Sequence, residues 1–283
     1  FADSMPKLNT NNPEVADYFA DVCRYWVQEF DIDGIRLDCA GDLSFEFMQE
    51  LRRLANEIKP EFWLMGEVIH GEYARWVNPQ MLHSVTNYEM HKSIYSAHND
   101  HNYFELAHNV RRLEAVGRDL YTFVDNHDED RIASKLLNPA HLAPLYTLLF
   151  TLPGIPSIYY GSEWGAKANK SEGDPALRVS FDAPVYNDLS AFITKLAEAK
   201  KNSEALNYGS FRSVVLTNRQ CIFARETESE RVFVAINADE NSYTAHFDAG
   251  CGQAVDLITG DIHDFGGGSE LAPYSAAFWK MER

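Results

Sequence analysis

The 283-residue chain carries 42 Asp and Glu against 25 Lys and Arg, a formal net charge of −17. That balance argues against nucleic acid or an anionic membrane surface as partner, because both select basic patches. No apolar run approaches the ~18 residues of a membrane span, and the length suits one large α/β domain with a small appended one.

The elements are read in chain order. Asn12-Pro13-Glu14 offers an N-cap, a proline at the first helical position and an acid in the first turn. Val15, Tyr18, Phe19, Val22, Cys23, Trp26, Val27 and Phe30 then recur at steps of one, three and four, which predicts a helix with one strongly buried face. Asp33 to Asp38 is too short for a helix and predicts a strand. Phe45 to Ile58 is helical, with Phe47, Met48, Leu51, Leu54, Ala55 and Ile58 inward. Phe62 to Glu67 and His83 to Tyr88 read as strands, Met90 to Ala97 and Phe104 to Val116 as helices. Leu120 to Val124 is a strand, Leu142 to Leu152 a helix, Ile155 to Tyr160 a strand and Leu189 to Lys200 a helix. Strands alternating with helices imply parallel βα units. Five strands before Lys201 are too few for a closed eight-stranded barrel.

After Ser203 the pattern changes. Ser213 to Leu216, Gln220 to Arg225, Arg231 to Asn237, Tyr243 to Phe247 and Ala276 to Met281 are short segments separated by Asn, Gly and acidic turns, which predicts a small antiparallel sandwich. The expected domains are residues 1–202 and 203–283. No Pro- or Ser-rich linker intervenes, so the sandwich is expected to pack directly on the α/β part.

Three predicted strands end in an acid: Asp38, Glu67 and Asp128, about one and two βα units apart. Acids at the C-terminal ends of parallel strands sit on the face where barrel enzymes hold their active sites. Glycosidic cleavage needs such a set: one carboxylate to attack the anomeric carbon, a second to protonate the leaving oxygen and later activate water, and a third to hold sugar hydroxyls. Period-two alternation puts Arg36 and Asp38 on one strand face. A buried cation there would keep Asp38 ionised as a nucleophile requires. Each acid alone could equally cap a turn; three at this spacing favour chemistry.

The other candidates are weaker. His127 adjoins Asp128 and is read as functional. His70, His83, His91, His98, His101 and His108 lack metal-ligand spacing and are expected on the surface or in loops. Asn87 and Tyr88 end a predicted strand and either touch sugar or serve structure. Tyr159 and Tyr160 either line the barrel mouth or pack in the core, and core packing is the expectation. Trp63, Trp76 and Trp164 could stack on sugar rings, although most aromatics must be core. Arg178 either holds a loop or reaches substrate. Cys23, Cys39, Cys221 and Cys251 show no CxxC or CxxH spacing, so no metal or redox centre is expected. Cys23 and Cys39 are expected to be buried. Cys221 and Cys251 could pair but are expected to be free. No GxGxxG or Walker loop follows a strand, which sets a nucleotide-binding enzyme aside.

These segments resemble the α-amylase family (glycoside hydrolase family 13). Asp33-Gly34-Ile35-Arg36-Leu37-Asp38 is similar to the family's fourth-strand motif, Gly66-Glu67-Val68 to its fifth and Phe123-Val124-Asp125-Asn126-His127-Asp128 to its seventh. Gly154 to Gly161 resembles the eighth strand. Met5-Pro6-Lys7-Leu8-Asn9 resembles the motif of the neopullulanase, cyclomaltodextrinase and maltogenic amylase branch. The resemblance implies a partial (β/α)8 TIM barrel, strands four to eight, followed by an antiparallel β-sandwich. It implies a retaining α-glucosidic hydrolase with Asp38 as nucleophile, Glu67 as acid/base and Asp128 stabilising the transition state, and with Arg36, His127, Asn87 and Tyr88 as substrate contacts.

The family's first three strands, with a third-strand Asp and His, are not in the sequence, so the chain is expected to be a C-terminal fragment, inactive unless another chain completes the barrel. Gly41-Asp42 and Ser162-Glu163-Trp164 also depart from common family wording, which bears on linkage and acceptor preference. Two rival readings stand beside the hydrolase: a transglycosylase or isomerase with the same triad, and a catalytically silent sugar-binding or scaffold protein. The expected partner is an α-glucan or maltooligosaccharide, with homodimerisation open. No cofactor is required. Calcium occurs in many relatives, but no hand-like Asp-rich loop appears. No signal-peptide pattern opens the chain, and a cytoplasmic location is expected.

Overall fold

The computed structural model describes residues 4–282. They fall into two compact units, residues 4–88 with 119–121, and residues 89–118 with 122–282.

The first unit begins with helix α1 (Pro13–Phe30), whose N-cap Asn12 accepts a bond from the Glu14 N–H. The helix stops where Asp31 turns left-handed and its N–H donates to Val27 O. Strand β1 (Gly34–Leu37) pairs in parallel with β2 (Trp63–Gly66), Gly34 opposite Trp63 and Leu37 opposite Gly66. Helix α2 (Phe45–Ile58) connects them, capped by the Ser44 side chain. Burial of Phe47, Met48, Leu51 and Leu54 on its inner face contributes about 1.5–3 kcal/mol for each side chain. Strand β3 (Ser84–Val85) continues the sheet beside β2, and Thr86 bridges to Tyr121.

Helix α1 departs from expectation. Of its apolar stripe only Cys23 is buried, whereas Tyr18 and Phe30 are 65% and 64% exposed. Amphipathic spacing marks where a neighbour could pack; it does not supply one. Among the described residues of this unit α1 packs on α2, with Phe19 edge-on to Phe47.

The second unit holds most of α3 (Tyr88–Asn99), then α4 (Tyr103–Arg112), the end of β4 (Tyr121–Phe123), α5 (Ile132–Lys135), α6 (Leu142–Thr151), β5 (Ile155–Ser157), α7 (Asp174–Leu177), α8 (Asp188–Lys201) and α9 (Glu204–Tyr208). Strands β4 and β5 pair. Helix α6 is apolar and buried from Pro144 to Thr151, as a helix enclosed on all sides must be.

Eight further strands follow: β6 (Ser210–Leu216), β7 (Gln220–Glu226), β8 (Glu230–Asn237), β9 (Tyr243–Ala245), β10 (Gln253–Asp256), β11 (Ile262–Asp264), β12 (Ser269–Leu271) and β13 (Ser275–Glu282). A six-stranded sheet, β11-β10-β13-β8-β7-β6, faces the two-stranded β12-β9. Ile222, Phe233, Leu271 and Trp279 are in the core of this β-domain. The sequence reading lacked β10, β11 and β12, each only three or four residues long and bounded by glycine-rich turns. As expected, the β-domain packs directly on helices of this unit. The buried Arg225 donates to Thr151 O at 2.5 Å and to Gly209 O at 2.9 Å.

Two histidines expected at the surface are buried. His98 is fully enclosed, its Nδ1 2.8 Å from Ile94 O and its Nε2 3.2 Å from Tyr103 Oη. Burial pulls its imidazole down to about 3. His91 stacks on Phe123. Both lie on the inner face of α3, His98 edge-on to Tyr103 and His91 against Phe123. All four cysteines are free. No described helix is long and apolar enough to cross a membrane.

Candidate active site

In the first unit, β1 ends at Leu37, and Arg36 and Asp38 lie on one face as the alternation requires. Arg36 Nη1 donates to Asp38 Oδ1 at 2.7 Å, and Nη2 lies 3.3 Å from Glu67 Oε2. One guanidinium therefore bridges both carboxylates. The expectation of a buried cation needs correction: the Arg36 side chain is 34% exposed and that of Asp38 75%, because both project beyond the strand end. Burial lowers the Arg36 pKa, but the bond to Asp38 and the charges of Glu67 and Asp38 outweigh it and leave the guanidinium above its ordinary value.

Glu67 follows β2 and is 8% exposed. Its Oε2 accepts the Cys39 N–H at 3.1 Å, and its Oε1 accepts the Tyr88 hydroxyl at 3.4 Å. Its own N–H donates to Leu37 O at 2.8 Å, which ties the two strand ends together. Gly66 leaves room for this approach: a Cβ there would lie 2.5 Å from Leu82 and 2.7 Å from Ala40.

Cys39 is half-exposed in a left-handed turn, not buried as expected. The turn carries the chain away from the strand and leaves the thiol beside the carboxylates. One ligand atom each of Asp38, Cys39 and Glu67 lies within 4.8 Å of the others. Burial, then the charges of Asp38 and Glu67, pushes the thiol up and keeps it protonated. The Arg36 guanidinium already sits against both acids and meets part of their charge.

A cleft of about 530 Å³ borders Asp38 and is lined by Met5, Pro6, Leu8, Phe19, Trp26 and Leu43 among others. Lys7 donates to Asp42 O, and Thr10 bonds Ser44 through both its hydroxyl and its carbonyl. The Met5–Asn9 segment thus reaches the turn after Asp38. Asn87 is buried, and its N–H donates to Tyr121 O at 2.8 Å.

In the second unit, the segment after β4 is pinned residue by residue. Asp125 is buried and accepts from the Ile132 N–H and the Ser162 hydroxyl, both at 2.7 Å. Burial raises its carboxyl despite these bonds. Asn126 Oδ1 accepts the Asp128 N–H at 2.9 Å. His127 Nε2 lies 3.0 Å from Asp128 Oδ2, and Arg178 Nη2 donates to Asp128 Oδ1 at 2.8 Å.

Arg131, fully buried, donates to Tyr160 O, Ser162 Oγ and Leu177 O and lies over the Tyr159 and Tyr160 rings. Gly161 beside it has no room for a side chain, since a Cβ would come 2.6 Å from Phe181. Core packing was expected for Tyr159 and Tyr160, but Tyr159 is only half-buried. Tyr160 is exposed, and their hydroxyls donate to Leu177 O and Val179 O. Burial and the neighbouring Tyr160 push the Tyr159 phenol up to about 12.

The first unit therefore brings Arg36, Asp38, Glu67 and Tyr88 together, and Asn87 bonds through its backbone. The second brings His127 and Asp128 together with Arg178. The sequence reading missed Arg131 and the Cys39 thiol, and it left Arg178 between two roles. A charged residue after Asp128-Glu129-Asp130 was the available signal for Arg131.

The family profile described as "Alpha amylase, catalytic domain" matches residues 1–208. A maltogenic α-amylase from Bacillus acidopullulyticus is 32% identical over 266 residues, covering 88% of this chain and 45% of that protein. A cyclomaltodextrinase from Thermoanaerobacter pseudethanolicus is 30% identical over 250 residues, covering 84% and 43%. The chain thus spans less than half the length of these curated relatives. The crystal structure of an Anoxybacillus α-amylase superimposes with a TM-score of 0.88 at 28% identity, covering 98% of this chain and 65% of that one. The fold is that of a partial (β/α)8 barrel followed by an antiparallel β-domain.

Proposed function

The chain belongs to the α-amylase family, and on that premise we propose that it carries the catalytic carboxylates of a retaining glycosidase acting on α-glucosidic bonds of maltooligosaccharides or cyclodextrins. In this reading residues 1–202 carry the chemistry and residues 203–283 form the C-terminal β-domain. The observation that supports it most is the spacing of two acids: an oxygen of Asp38 and one of Glu67 lie within 4.8 Å. Retaining enzymes hold their carboxyl groups ~5–5.5 Å apart, whereas inverting enzymes leave ~6.5–9.5 Å for a water.

The roles follow from surroundings. Asp38, the more exposed and bonded to Arg36, attacks the anomeric carbon. Glu67, enclosed and aligned by the Cys39 N–H and Tyr88 hydroxyl, gives its proton to the leaving oxygen. The glycosyl–Asp38 ester is then hydrolysed by a water from which Glu67 removes a proton, so Glu67 returns to its starting state. Asp128 and His127 hold sugar hydroxyls, and the Asp128 charge favours the oxocarbenium-like transition state. Side chains supply every step, and we propose no cofactor.

A fluorinated maltosyl fluoride that forms the intermediate quickly and hydrolyses slowly tests this. Digestion and mass spectrometry should find the sugar on the Asp38 peptide, and NMR of an ordinary turnover should show the α-anomer first. Label on another residue, or the β-anomer first, overturns the proposal.

A further inference from the structure

Asp128 opens a run of three acids, Asp128-Glu129-Asp130, and each is held differently. Glu129 lies 3.6 Å from His91 Nε2 and accepts from Lys135 Nζ at 2.8 Å, and these two partners, the imidazole first, pull its carboxyl down to about 2. Asp130 accepts the Lys170 N–H at 2.6 Å. Among the described residues, of these three acids only Asp128 meets a guanidinium, which arrives from the far end of α7.

Arg178 makes two contacts there. Nη2 donates to Asp128 Oδ1 at 2.8 Å, and Nε donates to His127 O at 3.4 Å. Because His127 Nε2 sits 3.0 Å from Oδ2 and Asn126 accepts the backbone N–H, both oxygens and the main chain of Asp128 are restrained. Its remaining lone pairs still face solvent, with 38% of the side chain exposed. The alternative acid, Asp174, is 4.0 Å from Nη2, beyond hydrogen-bond reach.

Resting on the functional reading above, we propose that Arg178 is a positioning residue that orients the Asp128 carboxylate for catalysis. Stability is a poor explanation of the pair. With Arg178 47% exposed, such a surface bridge contributes little to folding. Orientation is the better one, because a planar fork that spans a carboxylate and the preceding carbonyl fixes an angle, which the point charge of lysine does not.

The test is a double-mutant cycle in the active full-length enzyme, with an aryl maltooligoside whose good leaving group keeps weak variants measurable. Arg178→Ala should lower kcat by about 10²-fold, the scale of a small misplacement of a reacting group, with KM and Tm nearly unchanged. Guanidinium chloride at millimolar concentration should restore part of that kcat, where ammonium chloride of equal strength does not. In an Asp128→Asn background the same change should cost almost nothing further. Arg178→Lys, which keeps the charge, should fall between wild type and Arg178→Ala.

A full additional loss in that background overturns the inference, as does wild-type kcat in Arg178→Ala. Should Asp128→Asn itself keep wild-type activity, the functional reading fails, and this inference with it.

Discussion

Asp38 and Glu67 share one guanidinium yet differ in exposure and partners, and that difference assigns their roles. Asp38 has Arg36 and open space; Glu67 is enclosed and accepts an amide N–H and a phenol. Replacing Glu67 by Gln should reduce kcat by about 10²–10⁴-fold on a natural glucan, the usual worth of a general acid. The loss should shrink on a substrate whose leaving group needs no proton, such as a dinitrophenyl glycoside. An equal loss on both substrates would take the acid role away from Glu67. The Arg36–Asp38 pairing was legible because two-residue alternation follows from the extended backbone itself. The Cys39 thiol was not, because its place depends on a left-handed turn that no local pattern announced.

Helices show a similar division. The Asn12 cap and the inner face of α2 follow from capping chemistry and spacing. Helix α8 holds something spacing could not disclose: Lys200, buried near its C-terminus, donates to Leu206 O at 3.1 Å. Burial, with Arg225 nearby, pulls its amine down from 10.5 to about 7. Between those two values the unfolded chain binds a proton that the folded chain does not, so stability rises with pH across that window. Denaturation midpoints from pH 7 to 10 should climb in the wild type and flatten in Lys200→Met. Parallel curves for the two proteins would show that Lys200 is not the source.

At the scale of the molecule, the α-amylase family is set by short motifs, whereas the β-domain is joined to its helices by a buried charge. Arg225 reaches from β7 to the carbonyls of Thr151 and Gly209. Arg225→Met would leave the buried Thr151 carbonyl and the half-buried Gly209 carbonyl without this partner, and urea denaturation should show a loss of about 1.5–3 kcal/mol. A change below about 0.5 kcal/mol, the range of ordinary surface substitutions, would remove Arg225 from that role. The five expected β-domain strands were visible through β-branched and aromatic runs. Strands β10, β11 and β12 were not, since three or four residues are too few to display a period and their pairing comes from β13, β9 and one another.

The sequence by itself determined the alternation of strands and helices before Lys201, the acids that directly follow β1 and β2, and the family, because backbone periodicity and motif chemistry are local properties. Only the tertiary structure decided which side chains are covered and which charges meet. Tyr18 is exposed on a helix patterned for burial, His98 is enclosed where a surface histidine was expected, and Arg178 pairs with an acid fifty residues away. Burial and ion pairing depend on atoms brought close by the rest of the chain, and distance along the sequence carries no direct measure of distance in space.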